Sequence, residues 1–179
     1  MIWLIRHGEA EAGWGDHPDP GLSALGAGQA GAVASLLKSA GVRQIVSSPM
    51  QRCRETARPL AAQLGLAPLI APEVSEIATP PGTPDRVAWL RAVMAGTWGE
   101  AGEAYVRWRA AMGAFVHALP PGTAVFSHFV AINALCGLLE GDERVTVFRP
   151  GHCSLTRLER VGGRLSVAEY GSEAATRVL

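Results

Sequence analysis

The residues of this chain that could do chemistry lie at the ends of short apolar runs. Arg6-His7-Gly8-Glu9 follows Met1 to Ile5, Ser47-Ser48-Pro49 ends Gln44 to Ser47 and leads to Arg52 and Thr56, and Ser127-His128 closes a run from Thr123. Two histidines and two arginines without an acidic cage suit a dianion, because each guanidinium offers paired donors that match phosphate oxygens. An imidazole nitrogen can attack phosphorus directly, and flanking cations offset the charge that builds on the equatorial oxygens. The chemistry expected is metal-independent phosphoryl transfer with His7 as nucleophile.

For these residues to meet, the apolar runs must be neighbouring strands of one sheet. Short apolar runs alternate with longer helical patterns, which predicts an α/β fold: a three-layer α/β/α sandwich with a mostly parallel central sheet. Ligands in such sheets bind beyond the carboxyl ends of the strands, so Arg6-His7, Ser48 and His128 should converge.

The strands expected are Met1–Ile5, Gln44–Ser47, Ala67–Ile70 and Thr123–Ser127, with a hairpin from Ser154 to Tyr170 turning at Gly162-Gly163. A helix from Ser23 to Ala40 would present Leu25, Val33, Leu36, Leu37 and Ala40 on one face. Ser48-Pro49-Met50-Gln51 reads as a capping box opening a helix to Leu64 that buries Cys53, Ala57, Leu60, Ala61 and Leu64. An irregular stretch to Pro84 precedes helical patterns over Asp85–Ala95 and Glu100–Ala118, and another helix covers Val130–Leu139. One domain is expected over residues 1–179, with a small cap or insert at about 72–118.

Composition narrows the partners. The 16 basic and 16 acidic residues leave no net field to attract nucleic acid or an anionic membrane. Cys53, Cys136 and Cys153 are odd in number and widely spaced, as suits reduced thiols, and Met1–Ile5 is too short for a signal-peptide core, so a cytoplasmic location is expected. The apolar stretch Ala124–Leu139 holds His128 and Asn133 and falls short of a membrane span. His17, His117 and His152 lack the spacing of paired metal ligands, so no metal or cofactor is expected. Trp89, Trp98, Tyr105 and Trp108 read as core residues rather than a site.

Arg6-His7-Gly8-Glu9, Ser47-Ser48-Pro49-x-x-Arg52-x-x-x-Thr56-Ala57 and Ser127-His128 together resemble the histidine phosphatase superfamily, also called phosphoglycerate mutase-like. The resemblance extends to Leu22-Ser23-x-x-Gly26-x-x-Gln29-Ala30, Val74-Ser75-Glu76-Ile77 and Cys153-Ser154-Leu155-Thr156-Arg157-Leu158-Glu159. It implies that His7 is phosphorylated, that Arg6 and Arg52 hold the phosphoryl group, and that His128 binds phosphate and stabilises the transition state. It also implies a proton donor in the loop after the third strand, best matched by Glu76, with Glu73 as the fallback.

The match departs at specific places. An asparagine usual after the R-H-G motif is missing from Ala10–Asp16, and the glycine usual after the second histidine is Phe129, whose ring would crowd the pocket or stack on the substrate. Ala78–Gly82 replaces a glycine- and tryptophan-containing stretch of the mutases. The activity expected is hydrolysis of a small phosphomonoester through a phosphohistidine, with a small phosphorylated metabolite as partner. The alternatives are a phosphoglycerate mutase, a protein phosphohistidine phosphatase and a phosphate-binding scaffold. The oligomeric state is not legible in the sequence.

Overall fold

The computed structural model describes residues 1–13 and 17–174. The strands are β1 (Ile2–Arg6), β2 (Gln44–Ser47), β3 (Leu69–Ile70), β4 (Thr123–Ser127), β5 (Leu155–Val161) and β6 (Arg164–Glu169). The helices are α1 (Ala24–Leu37), α2 (Gln51–Leu64), α3 (Arg86–Ala95), α4 (Trp98–Ala101), α5 (Glu103–Ala118) and α6 (Phe129–Glu140), with a 3-10 turn at Pro72–Val74.

The strands form one sheet in the order β3-β2-β4-β1-β5-β6. β1 to β4 run parallel, β5 pairs antiparallel with β1, and β6 with β5. The last two strands are joined by Gly162-Gly163, both at positive φ, the conformation that a two-residue hairpin turn requires.

Side chains alternate across a strand, and here both faces are covered, so β1 and β4 are buried throughout. Trp3, Ile5, Ile45, Ala124 and Phe126 join Val33, Leu37, Cys53, Ala57 and Leu60 of α1 and α2 on one face. Ile2, Leu4, Val46 and Val125 face the other way, against Leu90, Met112, Val116, Ile132 and Leu135 of α3, α5 and α6. The region expected to leave the sheet therefore supplies much of one covering layer. Trp98, fully buried, and Trp89, Tyr105 and Trp108, packed on the same cluster, are core residues.

Four local expectations are corrected. The buried face of α1 is Gly26, Ala30, Val33, Ala34 and Leu37, whereas Leu25 and Leu36 are 59% and 67% exposed. Gly26 lies where α1 meets the loop leaving β1, and a Cβ there would stand 2.0 Å from the Glu9 carbonyl oxygen. α2 begins at Gln51 rather than Pro49, and Met50 occupies the cap without a side-chain bond. Asp19 accepts the Gln51 N–H at 2.8 Å, while the Ser48 hydroxyl accepts the Met50 N–H at 3.3 Å and meets His128 Nε2 at 2.8 Å. The third strand is also shorter than expected, Leu69–Ile70 alone. The Glu100–Ala118 pattern divides into α4 and α5 about Gly102.

Candidate active site

Strand register brings the chemistry together. Arg6 lies opposite Ser127 on neighbouring β1 and β4, and Ser47 opposite Phe126 on β2 and β4, so His7, Ser48 and His128 leave adjacent strand ends at one level. The rings of His7 and His128 stand edge to face with centroids 5.3 Å apart.

The His7 ring is oriented by its own loop. Its Nδ1 lies 2.7 Å from the Gly8 carbonyl oxygen, which can only accept, so Nδ1 carries the proton and Nε2 holds the lone pair. Burial, and the positive charges of Arg6 and Arg52, hold His7 well below the usual histidine range, so the ring is neutral near pH 7. Gly8 is fixed in turn by its N–H donating to Thr56 Oγ1 at 3.0 Å.

The loop beyond His7 touches α1 backbone to backbone. A Cβ on Gly26 would stand 2.0 Å from the Glu9 carbonyl oxygen, and one on Gly8 2.7 Å from that of Gly26. Ser23 donates to the Glu9 carboxylate at 2.8 Å and caps α1 by accepting from Gly26, while Gln29 accepts the Glu9 N–H at 2.9 Å.

Arg6 is buried, donates to the Pro150 carbonyl at 2.9 Å, and holds its guanidinium 5.3 Å from the centroid of the Phe129 ring. Its Nε has no acceptor among the described residues. Burial draws its pKa down to about 10, which leaves it charged at neutral pH. Phe129 thus lies against Arg6, on the cleft wall, rather than blocking the pocket.

Arg52 reaches the site from the first turn of α2. Its Nη2 donates to His128 Nδ1 at 3.2 Å, and Asp19 lies 3.8 Å from Nη1. With Nδ1 accepting, His128 carries its proton on Nε2 and donates to Ser48 Oγ, the opposite tautomer to His7. Burial, His7 and the two arginines depress the His128 pKa strongly, so it too is neutral. His128 is fully buried behind Arg52, with the Cys53 thiol 3.4 Å from Nε2.

Glu76 follows the 3-10 turn, which Ser127 Oγ anchors by donating to the Val74 carbonyl at 2.8 Å. Its carboxyl accepts the Val130 and Ala131 N–H groups at 3.2 and 3.1 Å, at the N-terminus of α6. Removal from water raises its pKa, and these amides, the Ile77 N–H and Arg52 pull against that rise. Glu73, the fallback, is exposed on the 3-10 turn and does not line the cleft.

Arg6, His7, Arg52 and Glu76 line one cleft of about 450 Å³. Ile77, Leu90, Met94, Phe129 and Val130 line the same cleft. The loop from Ala10 to Gly13 contributes as well, while Trp14–Asp16, part of the segment without the asparagine, lie outside the described residues. Among the described residues no group of three His, Cys, Asp or Glu side chains is arranged to hold a metal ion.

A sequence profile described as the histidine phosphatase superfamily (branch 1) matches residues 2–173. The chain belongs to the histidine phosphatase superfamily. Within the superfamily it is 30% identical over 185 residues to a probable phosphoglycerate mutase, GpmB, of Yersinia enterocolitica, covering 89% of this chain and 84% of that protein. An uncharacterised Mycobacterium tuberculosis protein, Rv0525, is 39% identical over 82 residues, 44% of this chain, and the match spans only 41% of that protein's length. The mycobacterial glucosyl-3-phosphoglycerate phosphatase Rv2419c, solved with VO3, shares the fold with a TM-score of 0.77 at 22% identity, over 96% of this chain and 99% of that one.

One residue of this superfamily member escaped the sequence reading. His152 lines the cleft with its ring centroid 5.9 Å from that of His7. Its loop is tied to β1 by the Cys153 N–H donating to the Arg6 carbonyl at 3.0 Å, with Cys153 at φ +54, a left-handed conformation that is costly for a side chain with a Cβ. Burial and Arg6 lower the His152 pKa to about 4. The available signal was positional: His152 immediately precedes the Cys153–Glu159 motif, whose strand pairs with β1.

No helix among the described residues is long and apolar enough to cross a membrane.

Proposed function

We propose that the protein is a phosphatase that hydrolyses a small phosphomonoester through a phosphohistidine on His7. The observation that carries this reading is the His7 ring, neutral, proton fixed on Nδ1 by Gly8, its Nε2 lone pair unprotonated on a cleft shared with Arg6 and Arg52.

In the first step Nε2 forms a bond to phosphorus as the bond to the ester oxygen breaks, and Glu76 gives its proton to that oxygen. In the second, Glu76, now a carboxylate, takes a proton from water, and the oxygen of that water displaces His7 from phosphorus. Arg6, with a buried Nε donor awaiting an acceptor, and Arg52 stabilise the equatorial oxygens. His128 acts first through Arg52, which its Nδ1 orients. When a dianion draws Arg52 forward, the same nitrogen is free to take a proton and stabilise the transition state.

A second reading is favoured by the likeness to the Yersinia enterocolitica probable phosphoglycerate mutase, which spans most of both chains. There the phosphohistidine would pass its phosphoryl group to a substrate hydroxyl rather than to water. Both readings are tested together by following 3-phosphoglycerate and an alkyl phosphate in the presence of a chelator. Net release of inorganic phosphate, lost by about 10²–10⁴-fold in Glu76→Gln, is expected. Isomerisation without phosphate release would establish the mutase, and turnover abolished by the chelator would overturn the mechanism.

A further inference from the structure

The cleft is much larger than its phosphate end, and its remaining walls differ in character from that end. At about 450 Å³ it lies in the range of pockets that enclose a small organic molecule. Arg86, Leu90 and Met94 of α3 line it at successive intervals of four residues, so they form one stripe along the helix. Leu90 and Met94 on this stripe, with Ile77, Phe129 and Val130, make a continuous apolar wall beside Glu76. Arg86 lies at the exposed outer end, donating to Thr79 Oγ1 at 3.4 Å.

We propose that the substrate is the phosphate ester of an apolar alcohol, an alkyl or aryl group several carbons long, which lies against the stripe of α3 while its phosphate meets His7. This rests on the phosphatase reading and adds the class of leaving group. A carboxylate placed against Leu90 and Met94 would lose its hydration with no polar atom of these two side chains to replace it, the Arg86 cation lying outward at the exposed end of the stripe. Glu9 and Glu11, which also line the cleft, would repel it. A hydrocarbon chain is stabilised by the same surface, by a factor of about four for each methylene group buried. The leaving oxygen emerges next to Glu76, so the chain that gains this contact is the one whose ester bond breaks.

The test is a series of methyl, butyl and hexyl phosphates with 3-phosphoglycerate as comparison, each followed by phosphate release. The value of kcat/KM should rise about fourfold per methylene over the first carbons, bringing hexyl phosphate roughly 100-fold or more above methyl phosphate and above 3-phosphoglycerate. Leu90 is part of the core, so the partly exposed Met94 is the residue to change. Met94→Asp should flatten the dependence on chain length. A flat series in wild-type protein that does hydrolyse methyl phosphate, or a preference for 3-phosphoglycerate, overturns the apolar leaving group and leaves the phosphatase reading standing. Loss of discrimination in Arg86→Ala rather than in Met94→Asp would transfer recognition to the rim cation and overturn it as well. Failure to hydrolyse any ester overturns both.

Discussion

Replacing Thr56 by valine should damage stability and turnover together, through one hydrogen bond. Thr56 is fully buried, and its hydroxyl accepts the Gly8 N–H at 3.0 Å while donating to the Arg52 carbonyl at 2.6 Å. Valine has nearly the same shape, so the cavity term is small and the lost oxygen dominates. The Arg52 carbonyl keeps its place in the ladder of α2, but the Gly8 N–H is left without its partner, at a cost of about 1–3 kcal/mol. For a chain of this size that lowers Tm by roughly 2–12 °C. Gly8 also carries, in the next peptide unit, the carbonyl that orients His7 at 2.7 Å, so movement of Gly8 turns the His7 ring. A displacement of about 1 Å in a reacting group costs up to about 100-fold in rate. In the proposed mechanism Arg6 and Arg52 hold the phosphate independently of Gly8, so kcat should fall while KM changes little. Thermal melts and steady-state kinetics on Thr56→Val, with Thr56→Ser as the control that restores the hydroxyl, measure both effects. A valine variant that melts with wild type and turns over within twofold of it would refute this chain of support.

Other expectations follow from the same packing. Gly26→Ala should lose about 1–3 kcal/mol, because its Cβ would meet the Glu9 carbonyl at 2.0 Å and the loop carrying His7 must shift; chemical denaturation measures the loss and kinetics the displacement. Phe129→Ala should lose about 3–5 kcal/mol and weaken binding of inorganic phosphate rather than open the pocket, since the ring is buried and lies against Arg6; calorimetric titration and melting separate the two. Stability should fall as the solution is acidified below about pH 6.5. His7, His128 and His152 are all depressed from the ordinary value of 6.5, His152 to about 4, so below pH 6.5 the unfolded chain binds protons that the native state refuses. Glu76, raised from 4.5, works in the opposite sense above that pH, one group against three. Urea unfolding from pH 7 to pH 4.5 tests this, and a flat profile would show that the histidines are not held neutral.

Much of the site was legible because strands buried on both faces leave a plain signature. β4 matches its expected span, and β1 and β2 end where Arg6-His7 and Ser48 suggested, so convergence of the two histidines followed from topology alone. What escaped depended on distance in sequence. Nothing near Ser48 indicates that its hydroxyl meets His128 and that Asp19 accepts the Gln51 N–H. His152 stands beside His7 only because the strand of the motif that follows it pairs with β1, a pairing its own neighbours do not encode. On α1, apolar periodicity pointed to Leu25 and Leu36, but a close backbone crossing selects Gly26, which is buried with Ala30 and Ala34, a preference that hydrophobicity does not register. The apolar wall of the cleft was hidden for a related reason, since Leu90 and Met94 carry no chemical mark until α3 sets them on the cleft that Glu76 lines.

The central claim is that His7 Nε2 takes the phosphoryl group. Rapid quenching of wild-type protein with a 32P-labelled phosphomonoester in the presence of a chelator, followed by peptide mapping, tests it most directly. The label is expected on the peptide containing His7, stable to alkali, lost in acid, and absent in His7→Ala. Label that survives acid, or that persists at full yield in His7→Ala, would contradict the account.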